Sequence, residues 1–100
     1  MDSFNTLIQS EKPVLVDFFA EWCGPCKTLA PLLREAKLQL GEQATIIKVD
    51  VDKNQQAAAA YNVRGVPTLI LFKKGKIVWR QSGVVPTQEI VRVFKENALI

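Results

Sequence analysis

The chain has 100 residues, a length that accommodates one compact domain, residues 1–100, rather than two. It contains no histidine and two cysteines, which excludes catalysis by a histidine base, histidine-containing metal sites and a four-cysteine metal site within one chain. The net charge of +3 is mild, and no basic cluster indicates nucleic-acid binding. Because no apolar run approaches the ~20 residues of a membrane span and no signal peptide opens the chain, we expect a cytoplasmic, reducing environment without membrane contact.

The order of helix and strand patterns predicts an α/β domain. Val14–Phe19 is apolar on both faces apart from one carboxylate, which is typical of a central strand covered on both sides. The other expected elements are a short helix with Phe4, Leu7 and Ile8 on one face, a helix from Cys23 to about Leu40, a strand Thr45–Val51, a helix from Asn54 to about Tyr61, a hairpin of strands Thr68–Phe72 and Ile77–Ser82, and a last helix with Ile90, Val93 and Phe94 inward. We therefore expect a mixed sheet of about four strands with helices on both faces.

Two cysteines three residues apart, Cys23 and Cys26, lie at the start of the long helix. This spacing places them on one helix face and within reach of a disulfide. Because the N–H groups and dipole of a helix N-terminus favour an anion, we expect the pKa of Cys23 to fall below the free value of ~8.5. Cys26 is one turn deeper and is expected to be less exposed. The pattern predicts that Cys23 attacks and Cys26 resolves; a structural disulfide is the alternative.

Asp17 interrupts the buried strand that leads to the cysteines. Burial of a carboxyl raises its pKa, and we hypothesise that Asp17 takes the proton from Cys26 when that thiol must ionise. The alternative is a satisfied ion pair with Lys48 on the neighbouring strand. The two interpretations are compatible, so both Asp17 and Lys48 are candidate site residues.

Three weaker features have ordinary interpretations. Asp50 and Asp52 share one strand face, and a solvated strand end is favoured over a cation site because no other oxygen ligands accompany them. Trp79 is expected to share a face with Ile77 and to pack at the core or edge. A trans bond before Pro67 is favoured by frequency, since only about 5–6% of X–Pro bonds in folded proteins are cis.

Taken together, these motifs resemble the thioredoxin family over nearly the whole chain. The matching segments are Val16-Asp17-Phe18, Ala20-Glu21-Trp22-Cys23-Gly24-Pro25-Cys26-Lys27, Ala30-Pro31, Lys48-Val49-Asp50, Arg64-Gly65-Val66-Pro67-Thr68 and Gly83. A bare C-x-x-C pattern is a weak signal, whereas these flanking residues make it specific. The resemblance implies the thioredoxin fold and a protein-disulfide reductase, or dithiol electron carrier, that acts by thiol–disulfide exchange without a bound cofactor or metal.

The resemblance also implies partners and a docking surface. It implies a cis bond before Pro67, against the frequency argument. It also implies that a flavin-containing thioredoxin reductase, which uses NADPH, reduces the Cys23–Cys26 disulfide. The substrates are then disulfide-containing proteins. The implied apolar docking surface consists of Trp22, Gly24, Pro25, Val66, Pro67, Gly83 and Val84. The alternative functions are an oxidase or isomerase of the same fold, a non-enzymatic clamp, and metal binding between two chains.

Two departures from the family pattern bear on stability and on the site. Met1 leads almost directly into the first helix, where the family usually has a strand first. Without that strand, Thr45–Val51 is an exposed edge, so we expect a weak dimer contact in an otherwise monomeric protein, or protection by Lys48 and the flanking acids. Phe19 stands where thioredoxins usually carry tryptophan, and the lost N–H donor is expected to alter how Asp17 is buried.

Overall fold

The computed structural model describes residues 2–98. Every element expected from the sequence is present, and most ends differ from the prediction by about one residue. The elements are α1 (Asp2–Ile8), β1 (Val14–Phe19), α2 (Gly24–Leu40), β2 (Thr45–Asp50), α3 (Gln55–Ala60), β3 (Thr68–Lys73), β4 (Lys76–Ser82) and α4 (Thr87–Ala98), with a short 3-10 turn at Gly41–Gln43 between α2 and β2.

The strands form one mixed sheet in the order β2-β1-β3-β4. β1 pairs in parallel with β2 and antiparallel with β3, and β3 pairs antiparallel with β4. One face of the sheet packs against α2 and α4, and the other packs against α1 and α3. The predicted architecture, a sheet of about four strands with helices on both faces, is therefore confirmed.

β1 is buried on both faces because its side chains alternate between two apolar clusters. Leu15 packs on the side of α2 and α4, whereas Val16 and Phe18 pack on the side of α1 and α3. The chain turns immediately after this strand, and the Cys23 N–H donates to the Ala20 carbonyl at 3.2 Å. The buried strand thereby fixes the position at which α2 begins.

β2 is an edge of the sheet, because no strand of the described range lies beyond it. Within residues 2–98 no strand precedes α1, as the sequence led us to expect. Lys48 is exposed on this edge, and the half-buried side chains of Ile46 and Ile47 flank the same strand. The dimer contact expected at this edge stays a prediction.

The β3–β4 hairpin corrects the expectation for Trp79. Leu71 pairs with Trp79 and Phe72 pairs with Ile77, so Val78 is an extra residue in β4 that forms a bulge. Trp79 and Ile77 consequently lie on opposite faces, not on the same face. Trp79 packs against the cluster of α2 and α4, while Ile77 is 47% exposed.

Two leucines of α2 differ in burial, and the difference predicts how much each contributes to stability. Leu29 is fully buried and Leu38 is 79% exposed on the same helix. Leu29→Ala is expected to lower the free energy of unfolding by about 2–5 kcal/mol, because it removes buried methyl groups and leaves a cavity. Leu38→Ala is the matched control, and its expected change is within about 0.5 kcal/mol. Urea unfolding followed by circular dichroism measures both, and equal losses would contradict the assignment of the core.

Candidate active site

The two cysteines lie at the junction between β1 and α2. Cys23 is the N-cap residue of α2, and its Sγ accepts a hydrogen bond from the Cys26 N–H at 3.1 Å. The two Sγ atoms are 2.22 Å apart and the two Cα atoms are 5.3 Å apart, so the residues form a disulfide. The Cys23 sulfur thus satisfies an N–H group that has no partner within the helix.

Both cysteines are buried, which corrects the expectation that Cys26 is the less exposed of the two. Cys23 is 3% exposed and Cys26 is 6% exposed. The reason is packing from distant parts of the chain. The cysteines form a small cluster with Ala20, and the half-buried side chains that pack against it are Phe19, Val51 and Val66.

Trp22 carries an exposed ring beside the disulfide. Its side chain is 72% exposed, and its Nε1–H donates to the Asp52 Oδ2 at 2.8 Å. The backbone N–H of Asp52 donates in turn to the Asp50 Oδ1 at 2.9 Å. The sequence interpretation treated these two aspartates as a solvated strand end and missed the contact. The indole N–H of Trp22 was the available signal, because it is a hydrogen-bond donor that a carboxylate can accept.

The segment around Pro67 approaches the cysteines from the other side. The Val66–Pro67 bond is cis, so the expectation from the family resemblance is confirmed and the one from frequency is wrong. Val66 packs against the cysteine cluster and lines a pocket of about 130 Å³ together with Trp22. The Gly83 N–H donates to the Pro67 carbonyl at 2.9 Å, which joins the start of β3 to the end of β4.

The remaining residues of the expected docking surface are exposed. They are Gly24 and Pro25 in the first turn of α2, and Val84 after β4. Val66 and Gly83 are half-buried and Pro67 is buried. Of the expected docking surface, the structure thus brings Trp22 and Val66 to the lining of one pocket.

Asp17 is 1% exposed, and its Oδ1 has no hydrogen-bond partner among the described residues. Burial raises the pKa of Asp17 from 3.8 to about 6, and the positive charge of Lys48 acts in the opposite direction. The two residues pair across β1 and β2, yet none of the ion pairs between described residues joins them. The Lys48 Nζ lies instead 4.4 Å from the centroid of the Phe19 ring.

Neither a metal-binding cluster nor a membrane-spanning helix occurs in the described part of the chain. Within residues 2–98 no group of three or more cysteine, aspartate or glutamate side chains is arranged to hold a metal ion. In the same range no helix has the length and apolar character needed to cross a membrane.

The pKa of Asp17 predicts how the stability of the oxidised protein depends on pH. Between 3.8 and about 6 the folded protein binds more protons at this group than the unfolded chain does. The free energy of unfolding therefore falls as the pH rises through this window, and the decline is complete above the folded-state pKa. At about 1.4 kcal/mol per pKa unit, the loss amounts to about 3 kcal/mol.

Asp17→Asn is expected to remove this decline because it replaces the ionisable group by a neutral one of similar shape. Urea unfolding between about pH 4 and pH 8 measures the effect. The control is Glu21→Gln, which changes a carboxylate that is 75% exposed and should retain the decline. An Asp17→Asn profile parallel to that of the wild type would show that this carboxyl is not the group responsible.

Comparison with known proteins places this site in a family. The profile described as Thioredoxin matches residues 1–96. Thioredoxin Y, chloroplastic, of Oryza sativa subsp. japonica is 42% identical over 98 residues, which cover 97% of this chain and 58% of that protein. The thioredoxin of Acidithiobacillus ferridurans is 43% identical over 90 residues, which cover 89% of this chain and 83% of that protein. The chain thus spans less than two thirds of the rice relative and most of the bacterial one.

A solved structure has the same fold. A mutant thioredoxin from Halobacterium salinarum matches with a TM-score of 0.87 at 36% identity, and the match covers 98% of this chain and 85% of that chain. The predicted thioredoxin fold and the predicted thiol–disulfide exchange at Cys23 and Cys26 are therefore confirmed. On this evidence the chain belongs to the thioredoxin family of thiol–disulfide oxidoreductases.

Proposed function

We propose that this chain reduces disulfide bonds in other proteins, with Cys23 as the attacking sulfur and Cys26 as the resolving one. The observation that carries this assignment is the hydrogen bond from the Cys26 N–H to the Cys23 Sγ at the first turn of α2. In the reduced protein the same N–H group and the helix dipole favour negative charge on the Cys23 sulfur. The thiolate is the form that attacks a disulfide.

The exchange consists of two displacements. The Cys23 thiolate attacks one sulfur of the substrate disulfide, forms a mixed disulfide and releases the other substrate sulfur as a thiolate. The Cys26 thiolate then attacks the Cys23 sulfur and displaces the second substrate sulfur. The substrate gains two electrons and takes up two protons, and the Cys23–Cys26 disulfide is formed.

Asp17 is the proposed base that removes the proton from Cys26 before the second displacement, directly or through a water molecule. A buried carboxyl with a pKa of about 6 is ionised at neutral pH and can accept that proton. Lys48 is the proposed supporting residue, because its positive charge favours the ionised form of Asp17. A cation–π contact with the Phe19 ring holds the Lys48 ammonium beside β1, the strand that carries Asp17.

Substrates are proposed to dock over the apolar surface that surrounds the disulfide. This surface would comprise Trp22, Gly24, Pro25, Val66, Pro67, Gly83 and Val84. The exposure of Trp22 and the position of Val66 against the cysteine cluster support it, and the backbone of Val66 is the proposed partner of the substrate chain. Docking on a shallow apolar surface favours a broad range of protein substrates over tight selectivity.

The electron source is proposed to be a flavin-containing thioredoxin reductase that uses NADPH. The chain itself would then need no bound cofactor, because electrons enter and leave through the Cys23–Cys26 pair. A reducing cytoplasm is the proposed location, since a dithiol of this kind must be kept reduced between turnovers. The coupled assay is oxidation of NADPH in the presence of the reductase, this chain and insulin.

The assigned roles predict different behaviour for the two cysteine variants. Cys26→Ser is expected to accumulate a stable mixed disulfide with insulin, because the attacking sulfur is present and the resolving one is missing. Cys23→Ser is expected to form none at neutral pH and to reduce insulin at the background rate. Non-reducing electrophoresis and mass spectrometry measure the adduct. The same adduct on Cys23→Ser, and none on Cys26→Ser, would reverse the assignment.

The proposed role of Asp17 predicts a slower second displacement in Asp17→Asn. We expect the rate of that step to fall by about 10²-fold at neutral pH, since general-base assistance is typically worth this much or more. In the wild type the rate should fall as the pH drops below about 6, where Asp17 becomes protonated. Stopped-flow measurement of mixed-disulfide decay resolves this step from the first attack. An unchanged pH profile in Asp17→Asn would remove Asp17 from the mechanism.

A further inference from the structure

The free edge of β2 presents backbone groups that point away from the sheet. The Val51 N–H donates to the Phe19 carbonyl at 2.9 Å, which directs the peptide groups of odd-numbered residues in this segment toward β1. The N–H and C=O groups of Ile46 and Lys48 therefore point outward, and no strand of the described range covers them. An edge with open donors and acceptors is a template for an added strand.

Apolar side chains border this edge on both faces of the sheet. On the α2 side a groove of about 420 Å³ is lined by Leu33, Leu38 and Ile46, and Leu38 is 79% exposed. On the α1 side Leu7 and Ile47 line a second pocket of about 210 Å³, and Leu7 is 43% exposed. Successive side chains of a strand point to opposite faces of a sheet. An added strand would therefore place apolar side chains both in the groove on the α2 side and in the pocket on the α1 side.

The charges along the groove are mostly positive. Its lining includes the basic residues Arg34, Lys37 and Lys48 and one acidic residue, the buried Asp17. Within residues 2–98 neither a hydrogen bond nor an ion pair occupies the Arg34 guanidinium. Two copies of this chain that paired through the edge would bring both sets of basic groups together. The charge therefore favours an acidic occupant over a second copy.

We propose that the free edge of β2 binds an extended peptide segment, apolar in its centre and acidic at its ends, as an added strand. The peptide's backbone pairs with Ile46 and Lys48, its apolar side chains enter the two pockets, and its carboxylates lie near Arg34. Backbone pairing distinguishes this occupant from a fatty acid, which could fill the groove but could not pair with the edge. The site lies beside the middle turns of α2, and Asp17 and Lys48 also line its groove, so peptide binding is measured directly and disulfide reduction is assayed separately.

The test uses a capped peptide of four valines with a glutamate at each end, titrated into the oxidised protein and followed by ¹H–¹⁵N NMR. We expect shifts centred on Ile46, Lys48 and Leu38. The same peptide with lysines in place of the glutamates should bind about tenfold more weakly. A glutamate peptide with its central amides N-methylated should lose binding, because it cannot pair with the edge. Decanoate tests whether an acidic, apolar small molecule suffices.

Two protein variants and one control variant test the position of the site. Arg34→Glu should weaken binding of the glutamate peptide about tenfold, whereas Lys76→Glu on β4 makes the same change in net charge and should leave it unaltered. Ile46→Pro removes one outward N–H and should abolish binding while preserving the pairing of β2 with β1. Insulin reduction by all three variants should match that of the wild type, which separates this proposal from the proposed disulfide chemistry.

Several results would overturn the proposal. Equal affinity of the glutamate and lysine peptides, undiminished binding of the N-methylated peptide, or shifts centred on β4 would each contradict it. Identical shifts with decanoate would assign the groove to small amphiphiles. Concentration-dependent dimerisation through β2 without peptide, measured by sedimentation, would assign the edge to a second copy. The N-methylated peptide keeps the test decisive if Ile46→Pro does not fold.

Discussion

Burial of β1 on both of its faces is the constraint on which the rest of the structure depends. The strand lies between β2 and β3 and is enclosed by two apolar clusters, so the position of its end at Phe19 is fixed. α2 starts from that fixed point with Cys23 as its cap. Asp17 belongs to the same strand and loses its hydration there, which raises its pKa. Burial of β1 thus accounts both for the position of the Cys23 sulfur and for the raised pKa of Asp17.

The N-terminus and the middle turns of α2 have different roles in the proposed functions. Its N-terminus holds the cysteine pair, and in the proposed mechanism the Cys26 N–H favours negative charge on the Cys23 sulfur. Its middle turns, with Leu33 and Leu38, border the groove along β2, where the basic residues Arg34, Lys37 and Lys48 outnumber the one acidic residue, Asp17. Asp17 and Lys48 line that groove as well, so the open edge and the proposed proton transfer share two side chains.

Local patterns were sufficient to predict most of the fold and the chemistry. The apolar run Val14–Phe19 identified the central strand, the stripe on α2 identified its buried face, and the cysteine spacing identified the redox pair. Features set by distant packing could not be predicted in this way. The burial of Cys23 depends on Val51 and Val66. Likewise the three consecutive apolar residues Ile77-Val78-Trp79 do not show which of them is the extra residue of a bulge, so the sequence places Trp79 on the wrong face.

The buried carboxyl of Asp17 also gives the oxidised protein a titratable group in its interior. The chain contains no histidine, and its cysteines are joined in a disulfide that does not titrate. Burial raises the pKa of Asp17 to about 6, so this carboxyl takes up a proton under mildly acidic conditions. Mild acidification would thus neutralise a charge inside the sheet, on the strand that leads to the cysteines, and the interior of the domain would register the ambient proton concentration.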